Sequence, residues 1–122
     1  MWGNILLVAA GGAAGSVARY LTVLAGARLV PGFPAGVMVA NVLGSFLIGV
    51  LFVVLSGSRA ALSPLLIAGF LGGYTTFSTF SLDALRLWEA GQGLAAAAYV
   101  LGSVGLSLAA VGLGVALARG LA

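Results

Sequence analysis

Gly69-Phe70-Leu71-Gly72-Gly73-Tyr74-Thr75-Thr76-Phe77-Ser78-Thr79-Phe80-Ser81 occupies the centre of the third long apolar stretch of this 122-residue chain. Adjacent glycines followed by two β-branched threonines make a poor helix interior. Glycine has much backbone freedom to lose, and threonine loses rotamers against the preceding turn. The stretch therefore predicts a break. A break leaves carbonyls unpaired at the end of one half-helix and N–H groups unpaired at the start of the next. In hydrocarbon this is tolerated only where the backbone is buried in protein or lines a cavity. Inward carbonyls make a cation site, and the N-terminus of the second half favours an anion. The residue pattern does not choose between them, and an unbroken helix using its glycines for packing is a third option.

The surrounding composition says why hydrocarbon is the right solvent to consider. The chain is 62% hydrophobic and carries five arginines, two acids, no lysine, no histidine and no cysteine. A soluble domain would have about a quarter of its residues charged, so this surface fits lipid. Disulfides, zinc sites with Cys or His ligands, cysteine nucleophiles and Ser-His-Asp triads are excluded. With no basic run, the net charge of +3 gives no reason to expect nucleic-acid binding. Met1-Trp2-Gly3-Asn4 lacks a positive leader, and the apolar run continues past Ala9-Ala10-Gly11. The first segment thus reads as a retained membrane helix.

A spanning helix needs about 20 apolar residues, and four such stretches are expected, at about residues 2–24, 35–55, 61–88 and 94–118. Ser63-Pro64 suits an N-cap followed by a first-turn proline. The expectation is one all-α integral membrane domain over residues 1–122, with four transmembrane helices and the third broken at mid-membrane. Arg59 and Arg119 fall on one side of the bilayer, and Arg28, Arg19 and Arg86 on or toward the other. So small a bias permits insertion in both orientations, and hence an antiparallel dimer; a single fixed orientation is the other option. The pairs Gly11 and Gly15, Ala14 and Ala18, and Gly69 and Gly73 provide small-residue spacings that allow close helix approach.

Polar groups inside the membrane are expensive, so their spacing is informative. Asn41 and Ser45 share a helical face, as do Tyr99, Ser103 and Ser107. A single serine can simply bond back to its own helix. Phe77 and Phe80 share one face, and Ser78 and Ser81 another. Phenyl edges carry partial positive charge and suit an anion, although packing or lipid contact is the more ordinary use of two phenylalanines.

The run from Gly69 to Phe80 resembles the signature of the small bacterial fluoride channels, the Fluc family, also called CrcB proteins. Gly11-Gly-Ala-Ala-Gly-Ser-Val-Ala-Arg-Tyr20 and Asn41-Val-Leu-Gly-Ser-Phe-Leu-Ile-Gly49 resemble two further motifs of the same family. The resemblance implies an antiparallel, dual-topology homodimer with two pores in the cytoplasmic membrane. It implies passive fluoride conduction, selective over chloride, that relieves fluoride toxicity without chemical coupling. It also implies a structural sodium ion at the dimer interface, held by backbone carbonyls of Gly72 and Thr75. Phe77 and Phe80 would line the pore beside Asn41, with Ser78 following the motif and Thr79 contributing a hydroxyl. Tyr99, Ser103 and Ser107 would form a polar track, and Arg19 would gather anions in a vestibule. Asp83 stands where many members have glutamate, with a shorter reach.

Rival readings have less support. A small multidrug exporter needs a mid-membrane carboxylate in its first helix, and that segment has no acid. Proton-coupled fluoride transport lacks a mid-membrane acid too, Asp83 lying near one end. A structural subunit of a larger assembly would scatter its polar residues, whereas these gather on the second, third and fourth segments. A membrane-embedded enzyme lacks the catalytic groups.

Overall fold

The computed structural model describes residues 1–121. Four helical spans are long and apolar enough to cross a bilayer: Trp2–Leu29, Ala35–Val54, Pro64–Glu89 and Gly93–Leu121. Helix α1 (Trp2–Leu29) ends just before Pro31, five residues past the expected limit. The apolar run thins out near Leu24, but nothing there stops a helix until proline disfavours the helical conformation in the residue before it. Helix α2 (Ala35–Val54) ends near the Ser56-Gly57-Ser58 turn, after which Gly57–Leu62 forms a short 3₁₀ stretch.

The third span is built in pieces. Pro64–Leu71 is π-helical, Gly72–Tyr74 is one α-helical turn (α3), and Phe77–Glu89 is a regular helix (α4). Between α3 and α4, Thr75 and Thr76 are extended, with φ/ψ of −92/155° and −153/123°. The break expected from the paired glycines and threonines lies at those threonines. Gly91, with a positive φ of 78°, then turns the chain into α5 (Gly93–Leu121).

Packing explains why the break is needed. The π-helical half lies along α1, whereas α4 leans on α5, and α2 packs most extensively on α5. The third span thus changes neighbour at Thr75–Thr76. Its first half is held very close: a Cβ on Gly73 would sit 2.6 Å from the Gly12 carbonyl oxygen, and one on Gly11 would be 2.8 Å from the Phe70 nitrogen. A Cβ on Gly15 would strike the Phe70 carbonyl. These are the contacts that small-residue spacing allows in lipid, where dispersion at close range replaces hydrophobic driving force.

The second half is held by an aromatic cluster. Tyr99 is fully buried beside Val37, Phe80, Leu87 and Ala96. Its ring centroid lies 5.1 Å from that of Phe80 and 5.6 Å, edge-on, from that of Phe33. Elsewhere, large apolar side chains such as Phe52, Leu101 and Leu108 point outward, as expected of a surface solvated by lipid.

Candidate functional site

Extended backbone inside a helical bundle must find partners for its N–H and C=O groups. Asn41, about a third of the way along α2, supplies both for Thr76. Its Nδ2 donates to the Thr76 carbonyl at 3.0 Å, and the Thr76 N–H donates to its Oδ1 at 2.8 Å. This two-bond ring imitates a strand pairing with a single side chain. Only a primary amide does it in this geometry, because it has a donor and an acceptor side by side. Asn41 therefore fixes where α4 begins.

Thr76 completes the start of α4. As N-cap, its Oγ1 accepts from the Thr79 N–H at 3.2 Å, relieving one of the orphan donors of the first turn. The Ser78 hydroxyl lies 3.3 Å from the same oxygen. On the other side, Thr75 closes α3: its N–H and its Oγ1 both donate to the Leu71 carbonyl, at 3.0 and 2.9 Å.

From the α1 side, Arg19 Nε donates to the Gly73 carbonyl at 3.0 Å. Thr22 and Tyr74 share a hydroxyl–hydroxyl bond of 2.9 Å, and the Tyr74 ring stacks on Phe70. The break is thus gripped on two sides, by α2 through Asn41 and by α1 through Arg19 and Thr22.

Three carbonyls escape this accounting. Among the described residues, no hydrogen bond reaches the carbonyl oxygens of Gly72, Tyr74 or Thr75 outside regular helix pairing, and the Thr76 N–H that would have served Gly72 is engaged by Asn41. Gly72 is exposed and Thr75 half-buried. A hard monovalent or divalent cation prefers oxygen ligands of this kind. The residues fit a backbone-held cation, and the described residues contain no acidic or histidine cluster that would hold a metal by side chains.

These residues border a cleft of about 370 Å³. It brings together Asn41, Phe77, Phe80 and Ser103 with Gly72, Thr75 and Thr76. Apart from Ser45, its remaining walls are apolar, with Ile48, Ile67, Leu71 and Val104 among them. The Phe77 and Phe80 rings are 5.5 Å apart but differently placed: Phe77 is 78% exposed on the open side and Phe80 is 8% exposed at the base. Ser103 is buried, and its hydroxyl has no partner among the described residues. A buried unpaired hydroxyl is costly without a ligand or water.

The other expected site residues lie outside this cleft. Tyr99 stands behind Phe80, its hydroxyl donating to Asp83 Oδ2 over a long 3.4 Å, and Asp83 also meets Arg86 at 3.9 Å. Ser107 is half-buried farther along α5, Ser78 is exposed and Thr79 is half-buried. Arg19 is half-buried against the break. Two serines of the second and third spans bond back to their own helices, Ser45 to the Asn41 carbonyl at 2.8 Å and Ser81 to the Phe77 carbonyl at 2.9 Å. Spacing assigns no role to Thr22 and no capping role to Thr76, although a threonine just ahead of an amphipathic run is an N-cap signal.

Known proteins resemble this chain over almost its whole length. The family model described as CrcB-like protein, Camphor Resistance (CrcB), matches residues 6–115. A protein of Cereibacter sphaeroides named fluoride-specific ion channel FluC is 55% identical over 121 residues, covering 98% of each chain. A protein of Paracoccus denitrificans with the same name is 52% identical over 120 residues, 97% of this chain and 96% of the relative. One of Rhizobium meliloti, again so named, is 53% identical over 120 residues, 95% of this chain and 96% of the relative.

Proposed function

Because this chain belongs to the family of CrcB-like proteins, whose relatives at 50–55% identity are named fluoride-specific ion channels, we propose that it is a multi-pass fluoride channel exporting the ion passively across the cytoplasmic membrane. It is not an enzyme, since conduction makes and breaks no covalent bond. The observation that carries the reading is the clamped break, which places a phenyl pair and an unpaired buried hydroxyl on one cleft.

Fluoride is small and strongly hydrated, so a pathway must replace water with donors without trapping the ion. Ser103 offers a free O–H. Asn41 keeps one Nδ2 hydrogen beyond the one given to Thr76. The edges of Phe77 and Phe80 supply weak positive potential. Ser78, Thr79, Tyr99 and Ser107, which lie outside the cleft, would carry the polar route beyond it. Arg19, about one turn past the middle of α1 and bonded to Gly73 at the break, contributes an attractive charge, and such steering falls off within a Debye length of about 8 Å at physiological salt.

The cleft is open on one side and Phe77 projects from it. A second copy of the chain closes it, and the near-even arginine distribution allows that copy to insert upside down. In such an antiparallel homodimer, Gly72 and Thr75 carbonyls from both copies would hold a sodium ion. That ion would supply positive charge at the interface and tie the two breaks together. Purified protein in potassium-loaded liposomes, with valinomycin and a fluoride electrode, tests the function. Fluoride efflux with no matching chloride efflux is expected; equal release of both ions, or of neither, would overturn it.

A further inference from the structure

A second cavity, of about 660 Å³, lies between the end of α2 and the end of α5. Its walls include Val50 and Val53 of α2 and Leu117 and Leu121 of α5, and Ser58 and Arg59 stand at its mouth. Successive helical residues turn by about 100°, so Val50 and Val53 project from the side of α2 opposite Asn41, Ser45 and Ile48. This groove is therefore separate from the conduction cleft and faces away from it.

We propose that it binds one anionic phospholipid per chain, with an acyl chain along the valine and leucine walls and the phosphate at Arg59. Three observations select this occupant. The groove is concave and apolar within a lipid-facing surface, so hydrocarbon fills it. Its polar groups are confined to the mouth, on the 3₁₀ stretch after α2, where a headgroup sits. The charges complement an anion: Arg59 and Arg119 lie toward this end of the molecule, while both acidic side chains, Asp83 and Glu89, lie in the far part of the third span. A zwitterionic headgroup would bring its own cation against Arg59. An arginine near anionic lipid is worth about 1 kcal/mol, or roughly fivefold in occupancy.

Native mass spectrometry of the purified chain, released from nanodiscs holding equal phosphatidylglycerol and phosphatidylcholine, tests the site without reference to conduction. One retained phosphatidylglycerol per chain is expected, in excess over phosphatidylcholine. Arg59→Gln should lower that excess about fivefold, and Arg28→Gln, which removes the same charge at the opposite end, should leave it unchanged. Both positions are exposed and neither substitution disturbs packing. Val50→Trp should reduce retention of both lipids by filling the groove. Equal retention of the two lipids by the wild type, or equal loss in Arg59→Gln and Arg28→Gln, would overturn the proposal.

Discussion

Replacing Asn41 by alanine removes both bonds that hold Thr76, and the size of the loss separates two views of that side chain. If Asn41 merely adds two interhelical hydrogen bonds, the average of about 0.6 kcal/mol per bond in membrane proteins gives a loss near 1.2 kcal/mol. The structure argues for more. Thr76 is extended, so neither its N–H nor its carbonyl has a helical partner to fall back on. Orphaning a buried polar group costs about 1–3 kcal/mol, which for two groups is about 2–6. Thr76 is only half-buried and borders the cleft, so water reaches it and the lower half of that range applies. We expect about 2–4 kcal/mol lost in reversible denaturant unfolding in mixed micelles, with fluoride flux falling alongside. Asn41→Asp should be at least as harmful, since it keeps an acceptor for the Thr76 N–H but sets a carboxylate oxygen against the Thr76 carbonyl. Ser45→Ala, one turn along, loses only a bond to its own helix and should stay within about 0.5 kcal/mol of wild type. An Asn41→Ala protein as stable as Ser45→Ala would refute the clamp.

Phe77→Ile should reduce fluoride flux while leaving the fold of the single chain nearly unchanged, because within the chain the ring is 78% exposed; Phe80→Ile should reduce both, because that ring packs on Tyr99. Flux measured in liposomes beside an unfolding curve separates the two effects. Gly73→Ala forces a methyl to 2.6 Å from the Gly12 carbonyl, and overpacking of this kind costs about 1–3 kcal/mol by denaturant titration. Arg19→Gln should lower flux most at low ionic strength, where charge steering is least screened, and should also weaken the grip on Gly73. Replacing sodium by a large organic cation on both sides of the membrane should destabilise the dimer, seen as faster subunit exchange between differently labelled copies.

The spans were legible because hydrophobic length is a local property, and so was the break, which two glycines followed by two threonines announce. The partners of the break were not. Asn41 and Thr76 are 35 residues apart, and Arg19 and Gly73 are 54 apart. No local pattern signals that one amide will pair with one particular peptide group. Arg19 illustrates the point: the family resemblance implies a charge that gathers anions in a vestibule, while in the fold its Nε is committed to a carbonyl. The serines divided by environment. Ser45 and Ser81 satisfied themselves locally, while Ser103 is buried without a partner among the described residues. The π-helical geometry of Pro64–Leu71 has no signature in composition; it arises against the glycine face of α1, where backbones meet at close range.

The zero-current potential of the purified protein in a planar bilayer tests fluoride-selective conduction most directly. A tenfold fluoride gradient is set up, with chloride making up the anion balance and potassium equal on both sides. A fluoride-selective pore must settle at the fluoride equilibrium potential, about 59 mV for a singly charged ion. A potential near zero, the value for a pore that does not distinguish the two halides or that carries potassium, would contradict the account.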